Sequence, residues 1–456
     1  MNAFSGVGGG VSRHSPRRVE YALTGHGLGG QSVAVTWQET TLPTGLRVVT
    51  TPLQQTQAVS VNLFVGVGSR SEPGRINGIT HFIEHMVFKG TLKRPDAIII
   101  ASEIEGAGGT LNAYTNKEFT CYWNFVPFDR FETALDVTAD MLLHSKMEQV
   151  EIEKERTVVQ QELKHNHDSP GAWAGRLIGT AVYGEQPAGW DVGGSVELVD
   201  RMQRPDFLSH MDDWYQARNM VLSVAGNVTH ERVLQLAEPM FAELKDRPLP
   251  SVEPYDPGIT GPRVEIDSRD IDQCSMYIGM PIFGRFDSDR FALRIMNDVL
   301  GAGMSSRLFR EVRERRGLAY SVSSGYGYLA DAGVFTISAG VNREKLAETI
   351  TVCLEEVHKM ADEATPEEEL RKAKDHTIGR FRLSLETAYS LGQRHGELLI
   401  SKGEIETIDD FVAGIEAIQV SDVQRVARRI LDDSKMHCSV VGPKLEEDEI
   451  AKAMGG

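Results

Sequence analysis

The 456-residue chain carries a formal charge of −17, from 65 acidic and 48 basic side chains, and so lacks the basic surplus that a general nucleic-acid binder needs. With 41% hydrophobic and 25% charged residues it has an ordinary globular composition, and it is too long for a single core. No apolar run reaches bilayer length, so no membrane span is expected. Acidity of this kind usually serves solubility, and it would also suit a cavity that attracts basic peptides.

Residues 1–35 contain Arg13, Arg17 and Arg18 but no apolar stretch of the kind a secretory signal requires. Gly6, Gly8, Gly9 and Gly10 disfavour an amphipathic leader helix, so a flexible tail is expected. Residues 46–51 and 59–65 read as strands. A loop over 68–74 then feeds a helix with Asn77 as N-cap and Gly90 as stop. A second helix is expected over 97–106, where Gly106, Gly108 and Gly109 end it. A hairpin over 111–126, helices over 130–145 and 147–165, and a strand over 220–226 follow. Pro248, Pro250, Pro254 and Pro257 mark residues 247–262 as a linker between domains at 36–246 and 263–456. Cys121, Cys274, Cys353 and Cys438 are widely spaced without a C-x-x-C, which suits reduced core thiols and a cytoplasmic setting.

The first of these helices carries His81, Glu84 and His85 in the order H-x-x-E-H. Histidines four apart share a helix face and make a two-point seat for a borderline metal such as Zn²⁺. The adjacent carboxylate is placed to take a proton from a water that the metal activates. A third ligand is missing from this stretch. In the helix over 147–165, Glu155 and Glu162 share a face with Val158, taken as inward, and an inward carboxylate needs a partner. The plainer alternative is a solvated Glu155 paired with Lys154 or Arg156, and His165 and His167 rival Glu162 as ligands.

The chain repeats itself. Phe119-Thr120 returns as Phe335-Thr336, and MVLSVAG ending at Gly226 returns as MHCSVVG ending at Gly442, both displaced by 216 residues. The same displacement carries His81, Glu84 and His85 onto Asn297, Leu300 and Gly301, so the second copy has no metal seat.

Residues 81–91, HFIEHMVFKGT, resemble the zinc motif of the pitrilysin/insulinase metallopeptidases, and the chain is similar to their half-size, processing-peptidase-like branch. The resemblance implies Glu162, 81 residues after His81, as third zinc ligand and Glu155 as a supporting acidic residue. Residues 108–115 look like the family's substrate-binding edge strand, with Asn112 and Ala113 as contacts, and Tyr215 with residues 219–222 matches its closing strand. Arg313 and Tyr320 fall on the family's Arg and Tyr, seven residues apart.

The implied fold is α+β: two tandem domains of similar topology, each a mostly antiparallel sheet covered by helices. The implied activity is a Zn²⁺-dependent endopeptidase acting on unfolded or presequence-like peptides. Glu84 would be its general base, with Glu155, Arg313 and Tyr320 assisting. A half-size chain implies a homodimer that encloses the chamber, with Arg313 and Tyr320 supplied by the other subunit. Two alternatives stand beside this: a non-catalytic assembly subunit, and an active subunit that requires a different partner chain.

Overall fold

A computed structural model describes residues 17–19 and 36–455. The first sheet joins β1 (Arg17–Val19), β2 (Trp37–Thr41), β3 (Arg47–Pro52), β4 (Ala58–Val65), β5 (Thr110–Thr115), β6 (Thr120–Pro127) and β7 (Met220–Gly226). Its order is β1-β2-β3-β7-β4-β6-β5, antiparallel except between β3 and β7. Apolar and β-branched residues in β4 and β7 are buried along nearly their whole length, as befits central strands covered on both faces. Three residues assigned above to the tail are not tail-like: β1 pairs with β2 from Arg17↔Glu39 to Val19↔Trp37. The remainder of residues 1–35 lies outside the described residues.

Helices of this half are α1 (Ile79–Met86), α2 (Ala97–Glu105), α3 (Phe131–His144), α4 (Gln149–Asp168), α5 (Pro170–Tyr183), α6 (Val196–Arg201), α7 (Arg204–Trp214) and α8 (His230–Met240). The second sheet joins β8 (Val264–Ser268), β9 (Gln273–Ile282), β10 (Ala319–Tyr328), β11 (Gly333–Asn342) and β12 (His437–Gly442), in the order β10-β11-β9-β12-β8. Its one parallel pair, β12 with β8, corresponds to β7 with β3. Shifted by the repeat, β3, β7, β4, β6 and β5 fall on β8, β12, β9, β11 and β10, so the two sheets share one topology. The helices of this half are α9 (Arg290–Gly301), α10 (Leu346–Asp362), α11 (Glu367–Leu383), α12 (Ala388–Lys402), α13 (Ile408–Glu416), α14 (Val420–Ile430) and α15 (Glu447–Ala453).

Two helices cross between the halves. α5 packs on β9 and β12 of the second sheet, while α12 packs on β4 and β7 of the first. The hydrogen bonds that seat them are counterparts in the repeat: Ser439 Oγ donates to Ala174 O at 2.7 Å, and Ser223 Oγ to Gly392 O at 2.7 Å. A Cβ on Gly396 would lie 2.1 Å from the Phe64 ring, so glycine is what lets α12 approach the sheet. Across the junction Arg70 pairs with Asp331 at 2.6 Å, and Glu118 pairs with Arg285. Residues 247–262 hold no regular structure, in keeping with their prolines.

Candidate metal centre

α1 turns Ile79, Phe82, Ile83 and Met86 into the first core, which fixes the direction in which the rest of the helix points. Its N-terminus departs from expectation. Gly78, at φ 99°, occupies the cap position and Asn77 does not cap. The buried Glu72 carboxylate instead accepts from Gly78 N at 2.7 Å, Thr80 N at 2.8 Å and Asn77 Nδ2 at 2.8 Å. A carboxylate satisfies the free N–H groups and suits the positive end of the helix better than a neutral amide does. A Cβ on Gly78 would meet Gly193 O at 2.4 Å, so the glycine also admits the loop that covers His81.

On the opposite side of α1, His81 and His85 stand ring to ring at 4.8 Å, and α4 brings Glu162 across them. Glu162 Oε1 is 3.6 Å from His81 Nε2, and Oε2 is 3.3 Å from His85 Nε2. Tetrahedral ligands about 2.1 Å from a zinc ion stand about 3.4 Å apart, so the donor set fits that ion. One ligand atom from each residue lies within 4.8 Å of the other two, and this is the only such cluster among the described residues. His165 and His167 are exposed and outside it; His167 packs on Trp173.

The surroundings tune these groups. Burial opposes charge on His85, but Glu155 and Glu162 overcome it and push the ring up to about 9. Burial and the neighbouring His85 lower His81. His85 in turn holds Glu162 below the usual carboxylate range. The ring that attracts a proton between two carboxylates is the one whose proton a cation would displace. His85 Nδ1 is 2.9 Å from Glu155 Oε1, whose other oxygen lies 2.5 Å from Lys89 Nζ. Glu155 is therefore neither solvated nor paired with its sequence neighbours. Lys154 pairs with Glu151 and Arg156 with Glu153. Val158, by contrast, is 49% exposed, and the buried line of α4 runs through Ile152, Val159 and Leu163.

Glu84 is buried, and burial raises its carboxyl group although Thr115 Oγ1 donates to it at 2.7 Å. Thr115 ends β5, an edge strand paired only with β6, on which Asn112 is exposed and Ala113 half-buried. Tyr215 Oη lies 2.8 Å from Tyr122 Oη in the core behind. Thr115 and Lys89 are the site residues that sequence reasoning passed over; a Lys four residues after His85 is the signal that could have found the second.

Arg313 and Tyr320 come together but not here. Arg313 lies over the Tyr320 ring at 5.1 Å and over Phe309 at 4.9 Å, in a π-helical segment, Phe309–Arg315, that leads to the edge strand β10. Tyr320 is 78% exposed. Among the described residues neither side chain bonds to the metal cluster or to Glu84. At the repeat position, Leu300 is buried and a Cβ on Gly301 would lie 2.2 Å from Ser324 Oγ, so the second half leaves no room for a seat.

Residues 47–194 match the family described as insulinase (peptidase family M16), and residues 201–376 match the peptidase M16 inactive domain. An uncharacterized zinc protease of Streptomyces coelicolor is 35% identical over 92% of this chain and 91% of its own. One of Mycobacterium leprae is 36% identical over 89% of this chain and 91% of its own. The crystal structure of a protease from Helicobacter pylori superposes with a TM-score of 0.82 at 24% identity, covering 90% of this chain and all of the other.

Proposed function

Because the chain belongs to the insulinase (M16) peptidase family, in its half-size branch, we propose that it is a zinc endopeptidase cutting unfolded or presequence-like peptides. The observation that carries this reading is the convergence of His81, His85 and Glu162 beside a buried, upward-shifted Glu84. Zinc held by those three ligands would supply a Lewis acid for the scissile carbonyl and acidify the attacking water. Glu84 takes the water's proton and returns it to the leaving amine; a carboxyl group raised by burial is better matched to that task near neutral pH. The Thr115 hydroxyl holds one Glu84 oxygen and leaves the other to accept the proton. Glu155 orients His85 through Nδ1.

The open side of β5 takes the peptide by strand addition, with the backbone of Asn112 and Ala113 as its template and the Asn112 side chain beside it. Arg313 and Tyr320 donate hydrogen bonds to the substrate and to the developing oxyanion. They do so from a second copy of the chain, since among the described residues neither contacts the metal cluster of its own chain. In this reading residues 36–246 form the catalytic domain and 263–456 the domain that supplies Arg313 and Tyr320. The four buried free thiols favour a cytoplasmic setting, and among the described residues no helix is long and apolar enough to cross a membrane.

The test is cleavage of a quenched fluorescent peptide with and without a chelator, alongside metal analysis of Glu84→Gln and His81→Ala. Glu84→Gln should keep its zinc and lose about 10²–10⁴-fold in turnover, whereas His81→Ala should lose the metal. Full activity in chelator, or full zinc in His81→Ala, would overturn the assignment.

A further inference from the structure

A second concentration of charge lies where the two halves meet, in a cavity of about 270 Å³ lined by no residue of the metal site. α9 contributes Arg290 and Arg294, the loop before it Arg285, and the crossing helix α12 contributes Arg394 and Lys402. Five cations around one cavity stand out in a chain whose net charge is −17.

Their compensation is incomplete. Arg285 pairs with Glu118, but Arg290, Arg394 and Lys402 share a single carboxylate, Glu406, at 2.7, 3.9 and 3.9 Å. Arg294 has no ion-pair partner among the described residues, and its guanidinium lies over the Tyr326 and Phe411 rings at 5.9 and 5.1 Å. The other carboxylate at the cavity, Glu397, is exposed. Setting Arg285 against Glu118, four cations face two carboxylates, an excess of two positive charges in a partly buried space. Burial lowers Arg394 and Lys402 against the pull of Glu406, and neighbouring cations add to the lowering. One hydroxyl, Tyr328 Oη, is buried in the same wall without a partner. Buried polar groups are rarely left so, and an orphan hydroxyl next to surplus cations marks a place for an acceptor.

We propose that this junction cavity binds a compact polyanion of the phosphate class, matched in charge by a diphosphate group. Arginine forks and a lysine are the side chains that hold phosphate oxygens, and the excess charge calls for at least a divalent anion. The cavity holds roughly nine waters' share of liquid volume, more than a monatomic anion uses. Tyr326 and Phe411 line the same cavity and give it apolar surface beside the cations. Because α12 lies on the first sheet and α9 and β10 belong to the second, the bound anion would also tie the two halves together.

The experiment is calorimetric titration of the full chain with sodium pyrophosphate at fixed ionic strength, repeated on Arg294→Gln and Tyr328→Phe. Arg294 is exposed and has no ion-pair partner among the described residues, only its contacts with Tyr326 and Phe411, so Arg294→Gln should melt close to the wild type in anion-free buffer. The expected result is one site per chain, weakened at least tenfold by Arg294→Gln and several-fold by Tyr328→Phe. Both variants retain the metal ligands, so any pyrophosphate captured by zinc cancels in the comparison. Adenosine diphosphate as a second titrant assigns the source: tighter binding than pyrophosphate indicates a nucleotide, and equal or weaker binding a free diphosphate. Unchanged affinity in both variants, or no heat beyond matched sodium chloride, overturns the proposal. So does binding of a glutamate-rich peptide where pyrophosphate fails.

Discussion

Lys89 Nζ, the two oxygens of Glu155 and Nδ1 of His85 form a chain of contacts at 2.5 and 2.9 Å that ends on a metal-ligand ring. Against burial, His85 and the Lys89 ammonium together hold Glu155 below the usual carboxylate range, and the ionised carboxylate fixes the tautomer and orientation of His85. Replacing Lys89 with Met leaves Glu155 with one cation fewer in a buried place. Zinc affinity, measured by chelator competition, should fall by about 10–100-fold, with Lys89→Arg retaining most of it. An affinity unchanged in Lys89→Met would show that His85 holds its orientation without the lysine. Of these contacts only the H-x-x-E-H spacing is local, and it was readable directly. Glu155 could not be separated from an ordinary solvated glutamate by its neighbours, because Lys154 and Arg156 offer the same partners that exposed helices use.

At the scale of elements, the exchange of α5 and α12 between sheets gives partners to polar residues buried in the strands, such as Thr51, Ser223 and Ser439. One such partner is His395, on α12, whose Nδ1 lies 2.7 Å from Thr51 Oγ1 in β3. Burial lowers the ring from 6.5 to about 3, so the unfolded chain takes up this proton first. The resulting stability is complete above the unfolded value and is lost as pH falls from there towards 3. Denaturant midpoints measured from pH 7 to pH 4 should therefore fall more steeply in the wild type than in His395→Gln. The difference should approach one proton, about 1.4 kcal/mol per pH unit. Parallel slopes would mean that the ring titrates freely. The exchange itself left no trace in the sequence beyond the repeat, since a helix amphipathic towards one sheet is equally amphipathic towards its duplicate.

For the whole molecule, the ion pairs of Arg70 with Asp331 and Glu118 with Arg285, with both crossing helices, tie the two halves into one unit. Within that unit neither Arg313 nor Tyr320 contacts the His81, His85 and Glu162 cluster among the described residues, and the proposed function takes them from a second subunit. Mixing Glu84→Gln with Tyr320→Phe protomers tests this. In a two-fold dimer with shared sites, half the dimers are hybrids with one intact site each, so about a quarter of wild-type activity should return. Activity no greater than that of either parent would place each site within a single chain.

By itself the sequence determined the H-x-x-E-H spacing on α1, the duplication, and the absence of that pattern from the second copy. Each of these is written in local spacing or in a constant displacement, which survive without knowledge of contacts. Asn112, Arg313 and Tyr320 were singled out only through the family resemblance, and Glu162 stood among rival ligands until that resemblance chose it, because no short-range pattern links any of them to His81. The tertiary structure alone decided that Glu72 rather than Asn77 caps the helix and that Arg17–Val19 extends the sheet. It also decided that Lys89 braces Glu155 and that α5 and α12 trade places. These depend on which distant surfaces meet, and burial of matching apolar faces sets that without any periodicity a single chain could display.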